Sequence, residues 1–151
     1  NNGLSDVKAK NIEKLYKDLA DSTANIFNVY IQKTNKVLDL MDKINSVQKG
    51  IFKNKWTFVD TFNLLYNYLE KIDFINEKKF VEQMKIFEQK RLSNNKNPEA
   101  LISDPTLPTY DKDLYDYIQA FKLSGNTQKN IEIRLAIFKK RFIGNGVHIK
   151  S

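Results

Sequence analysis

Arg134, Lys139, Lys140 and Arg141 make the densest cationic run in the chain, with no acid among them or after them. Such a group of ammonium and guanidinium side chains could hold phosphates, sulfated glycans or an acidic protein face. Helical stepping places the run opposite a stripe of Ile131, Leu135, Phe138 and Phe142, and so on a wet face. The same positions lie near a helix C-terminus, where the macrodipole favours cations with or without a ligand.

Residues 55–74, KWTFVDTFNLLYNYLEKIDF, hold six aromatic side chains in twenty. Steps of about 100° per residue gather Phe58, Val59, Phe62, Leu65, Tyr66, Leu69 and Ile72 on one arc, opposite Asp60, Asn63, Asn67, Glu70 and Lys71. That division predicts one buried face and one wet face, with most of the rings in the core. Trp56 and Leu64 fall among the polar positions, and Tyr68 falls at the margin. A stacking platform needs rings that meet solvent beside basic groups. Trp56, flanked by Lys53 and Lys55, is the first candidate.

The residues of enzyme chemistry are thinly represented. Histidine occurs once, at His148, and a lone imidazole in a loose tail has no partner to position it for acid–base work. There is no cysteine, which removes disulfides, thiolate metal sites and a cysteine nucleophile and leaves the redox compartment open. Asp111, Asp113 and Asp116 in YDKDLYD begin like a calcium loop, but the glycine at its sixth position and the terminal bidentate glutamate are missing. Acids in the first turn of a helix complement its dipole in any case. No Glu-x-x-His pair suggests a helical metal site. No glycine-rich phosphate cradle is present, since GNG at 144–146 reads as a helix stop. No cofactor or metal is expected.

The elements that must carry these residues follow from composition and punctuation. The 151 residues suit one domain, and 41% hydrophobic content is too rich for a disordered chain. Five glycines and three prolines leave little of the turn chemistry that a β fold needs at every hairpin. No apolar run approaches the roughly twenty residues of a membrane span. The net charge of +7 is spread evenly along the chain and is mostly lysine, whereas phosphate and base-edge readers lean on arginine.

Between the cap Ser5 and the stop Gly50 the stripe predicts one long helix of roughly forty residues, about 60 Å at 1.5 Å per residue, bent near residues 21–25, the other reading being two helices that break there. The aromatic helix follows, and a third starts at the cap Asn76 and runs to about Leu92. SNNKNP is a loop, and Asn97-Pro98 opens a short turn, PEALIS. Pro105 and Pro108 then impose an extended crossing. A fourth helix starts near Thr109 to Asp111 and stops at Gly125, and a fifth stops at Gly144. The expected fold is an all-α, single-domain bundle of about five helices with a long first helix. Residues 1–5 are a polar tether, 6–143 the bundle and 144–151 a flexible tail.

The lysine- and asparagine-rich, cysteine-free chain, with its lead-in NNGLSD, its long first helix and the segment TFVDTFNLLYNYLEKI, resembles the ectodomain of the helical outer-surface lipoproteins of Lyme-disease spirochaetes. The resemblance is one of style, without a diagnostic motif, and helical phage, plasmid and mycoplasma proteins share it. It implies a lipid anchor at a cysteine upstream of Asn1, display on the bacterial outer membrane, and non-enzymatic binding of a host or vector protein or a sulfated glycan. The expected contact is Arg134, Lys139, Lys140 and Arg141, or Trp56 with Lys53 and Lys55. An intracellular nucleic-acid accessory protein is the alternative, motivated by a pI near 9.4.

Overall fold

A computed structural model describes residues 13, 14, 17, 24–123 and 125–150. Among the described residues five α-helices have both ends defined: α1 (Ala24–Val47), α2 (Lys55–Tyr68), α3 (Glu77–Asn94), α4 (Lys112–Lys122) and α5 (Gln128–Phe142). Residues 13, 14 and 17 are helical as well. The expected helix start at Ser5, and residues 21–23 of the expected bend, lie outside the described residues. The tether 1–5 lies outside them too.

Local chemistry sets most of the boundaries. Gly50, at a φ of 79°, follows α1, and its N–H donates to Asn45 Oδ1 at 3.0 Å. The side chain of Asn54 accepts from Trp56 N at 2.9 Å and starts α2. Asn76 accepts from Lys79 N at 3.0 Å and starts α3, as its sequence position predicts. Pro98 opens a 3₁₀ turn, Pro98–Ile102. Asp111 accepts from Leu114 N at 2.9 Å and starts α4.

The core is an aromatic cluster laid over the aliphatic stripe Val37, Met41 and Ile44 of α1. Phe87 of α3 meets Tyr117 of α4 edge-on at 4.9 Å and Phe138 of α5 edge-on at 5.5 Å, and Phe142 lies 4.9 Å from Phe80. Edge-to-face pairs at such distances stabilise beyond their buried area.

Two expectations are corrected. Residues 72–74, read as the end of the aromatic helix, are strand: β1 (Ile72–Ile75) pairs antiparallel with β2 (Val147–Ile149). The tail expected to be flexible is therefore tied down. Val147 is fully buried, Asn76 N donates to Gly146 O at 2.7 Å, and His148 stacks on Phe74 with centroids 4.2 Å apart.

The second correction concerns the aromatic stretch. None of its six rings is fully buried; Phe58 and Phe74 are exposed, and the other four are half-buried. The sealed face of α2 is instead Thr57, Asp60, Thr61, Leu64 and Leu65. Of the polar groups on this face only Asp60 has partners across the core, Tyr117 and Arg134, while the Thr57 hydroxyl donates back to Asn54 O at 2.8 Å, so polarity alone does not mark such positions as wet.

Candidate functional site

Asp60 and Arg134 form an ion pair with both side chains sealed from solvent. Arg134 Nε donates to both carboxylate oxygens at 3.0 Å, Tyr117 OH donates to Oδ2 at 2.7 Å, and Arg134 Nη1 donates to Gly125 O at 2.7 Å. Nη2 has no hydrogen-bond partner among the described residues. The Trp56 ring lies 4.6 Å from the guanidinium carbon and supplies a cation–π contact there. Burial pushes the Asp60 carboxyl above its ordinary range, while the charge of Arg134 and the hydrogen bonds from Tyr117 and Arg134 oppose that rise. Burial first, and the Asp60 carboxylate second, push the Tyr117 hydroxyl well above its usual range. These groups face one another, and the arrangement locks α2 to α4 and α5.

Arg134 therefore does not belong to an exposed basic face, contrary to the sequence expectation. It stands three residues after Ile131 and four before Phe138, which puts it about 40° from Phe138 around the helix. It shares the buried stripe, and that spacing was the signal for it. Trp56 is half-buried, edge-on to Phe121 at 5.3 Å, and covers the ion pair. Lys55 Nζ lies 4.7 Å from the Trp56 centroid. Lys53 is exposed, and its chain folds over Gly50. The expected solvent-facing platform at Trp56 is thus a lid on a buried pair.

The remaining cations also separate. Lys139 Nζ sits 5.4 Å from the Tyr68 ring centroid. Lys140 Nζ binds Asp113 at 2.7 Å, and Arg141 Nη2 binds Asp111 and lies 3.7 Å from Asp113. The acids of YDKDLYD are accounted for by these contacts, with Asp116 paired to Lys112. Acids that are distant in sequence thus neutralise Arg134, Lys140 and Arg141 of the run that looked free of them.

Lys140 and Arg141 nevertheless border a cleft of about 280 Å³. One wall is a face of α3, with Gln83, Ile86, Phe87 and Lys90. The other joins the start of α4, with Asp111, Asp113 and Leu114, to the end of α5, with Lys140, Arg141 and Phe142. Phe87, Leu114 and Phe142 are buried and form the apolar floor, whereas Ile86 is 43% exposed at the mouth. Arg141 Nε has no hydrogen-bond partner among the described residues, and no acid pairs with Lys90 there.

The chain matches no family model, no curated protein and no solved structure. Function therefore rests on this geometry. Among the described residues no three His, Cys, Asp or Glu side chains gather as a metal ion requires, and no helix is long and apolar enough to cross a membrane. The cleft brings Lys140 and Arg141 together with Lys90 and Gln83, two residues the sequence reading did not single out. Their spacing of seven along one helix face was the available sign, but it is also the spacing of any solvated helix face.

Proposed function

We propose that the chain is a non-enzymatic binding module whose ligand seat is the cleft between α3 and the α4–α5 pair. The observation that supports this is an apolar floor of Phe87, Leu114 and Phe142 beneath a rim of charged groups. Ligand sites combine apolar lining with a few placed polar groups, and roughly 300–1,000 Å³ is their usual size. At about 280 Å³ the cleft takes a small molecule or one side chain of a partner. The test is chemical-shift mapping with a mixture of small amphipathic fragments. Shifts should concentrate on residues 83–90 and 140–145 and vanish in Ile86→Trp, which fills the mouth. Shifts confined to other faces, or unaltered by Ile86→Trp, would remove the cleft as the seat.

The setting that goes with this reading is a lipid-anchored ectodomain on a bacterial outer membrane, meeting a host or vector component. Its support is the resemblance in composition and helical architecture. The coding sequence upstream of Asn1 tests it: a secretory segment ending in a lipidated cysteine sustains the surface reading, and an immediate initiating methionine ends it. The nucleic-acid alternative would draw on the same cations. Arg134, Lys140 and Arg141 already hold carboxylates, so the cleft is the preferred contact.

A further inference from the structure

Charge accounting around the cleft narrows its ligand, on the assumption that the cleft is the binding seat. The α4–α5 wall is internally neutral: Asp111 accepts from Leu114 N and Arg141 Nη2, and Asp113 accepts from Lys140 Nζ. Its two carboxylates are engaged, so an incoming cation finds no free acid there. The α3 wall differs. The Lys90 ammonium and the Gln83 amide have no side-chain partner among the described residues, and they bracket Ile86 and Phe87. Seven residues of helix separate them by about 10 Å. Over the cleft lining as a whole, three cations oppose two acids, and Lys90 carries the unmatched charge.

We propose that the cleft binds a small monoanionic amphiphile, an aryl or branched alkyl body carrying one carboxylate. The body lies against Ile86 and the exposed edge of Phe87, above the buried Leu114 and Phe142, and the carboxylate meets Lys90. The edge of Phe87 favours a ring, and the cleft volume limits the body to a ring with a short chain. Such a group can be a free small molecule or the carboxyl-terminal phenylalanine of a peptide.

The experiment titrates the full chain with four probes and follows chemical shifts: 3-phenylpropionate, its amide, 3-phenylpropylamine, and the tripeptide N-acetyl-Gly-Gly-Phe. The acid should bind about fivefold more tightly than the amide, the scale of one solvent-exposed charge pair. The amine should bind least. Lys90→Met should reduce the acid to the affinity of the amide, and Lys90→Arg should keep the preference. Tighter binding of the tripeptide assigns the source to a peptide terminus, and tighter binding of 3-phenylpropionate to a free acid. Equal affinity of acid and amide, preference for the amine, or indifference to Lys90→Met overturns the proposed ligand class while leaving the cleft as a seat. If no probe moves cleft residues at millimolar concentration, the seat itself is refuted.

Discussion

Arg134 reaches Asp60 across 74 residues of sequence and donates one N–H to both carboxylate oxygens at 3.0 Å. The contact joins α2 to α5 inside the core. A charge taken out of water is costly unless its partner is in place, so each residue is tolerable only because the other is there.

Removing one partner should therefore cost more than removing both. Asp60→Asn leaves a buried guanidinium without its counter-ion and should lower unfolding free energy by about 3–5 kcal/mol. The double variant Asp60→Leu with Arg134→Met should recover a large part of that loss. Denaturant unfolding of the singles and the double reads the coupling, and additive losses would show that the pair does not act as a unit.

The Tyr117 hydroxyl keeps its proton in the folded chain at a pH where the unfolded chain has lost it. Its contribution to stability is therefore complete below the ordinary tyrosine value near 10 and is lost as pH rises toward the raised one. Tyr117→Phe removes a buried hydrogen bond to a carboxylate and should cost about 1.5–3 kcal/mol at neutral pH. Above pH 10 the two stability curves should converge by up to about 1.4 kcal/mol per pH unit. Parallel curves would mean that Tyr117 does not titrate with unfolding.

Leu64 and Leu92 test the rotated face of α2 and the exposed side of α3. Leu64 is fully buried, although its helical position lies among polar residues, and Leu64→Ala should cost about 2–5 kcal/mol. Leu92 is 63% exposed, and Leu92→Ala should stay within about 0.5 kcal/mol. Thermal unfolding of the two variants decides the matter, and similar melting points would contradict this packing.

Gly146 holds β2 against α3. It adopts a φ of 120°, and a Cβ there would stand 2.8 Å from the backbone N and Cα of Phe80. Gly146→Ala should therefore cost about 2 kcal/mol or more. The damage should be local. Faster amide exchange at Val147 and His148, with loss of the ring-current shift from Phe74, is the expected signature. Unchanged exchange there would show that β2 does not depend on this close approach.

Several boundaries were legible because they depend on neighbouring residues. The cap at Asn76, the turn at Asn97-Pro98 and the glycine stops at Gly50 and Gly144 are each set within a few positions. The cap at Asn54 is equally local but was not picked out. The ribbon was less legible, because Ile72 continues the helical stripe of α2 and becomes strand only through pairing with Ile149. Lys140 and Arg141 stood out in the sequence as part of a basic run, but their neutralisation by Asp111 and Asp113 required the two helix ends to meet.

Helical periodicity, sparse turn residues and capping side chains thus determined an all-α bundle of about five helices without reference to anything distant. Only the tertiary structure decided which polar groups are inside. Asp60 looks solvated beside Asn63 and Asn67, and Arg134, although its spacing from Ile131 and Phe138 sets it on the buried stripe, has no acid three or four residues away to pair with. Each is buried because a partner far along the chain replaces the water it gives up. The charge balance of the cleft is tertiary too: Asp111 and Asp113 meet Lys140 and Arg141 across two helix ends, while Lys90 on the facing wall has no acid partner among the described residues.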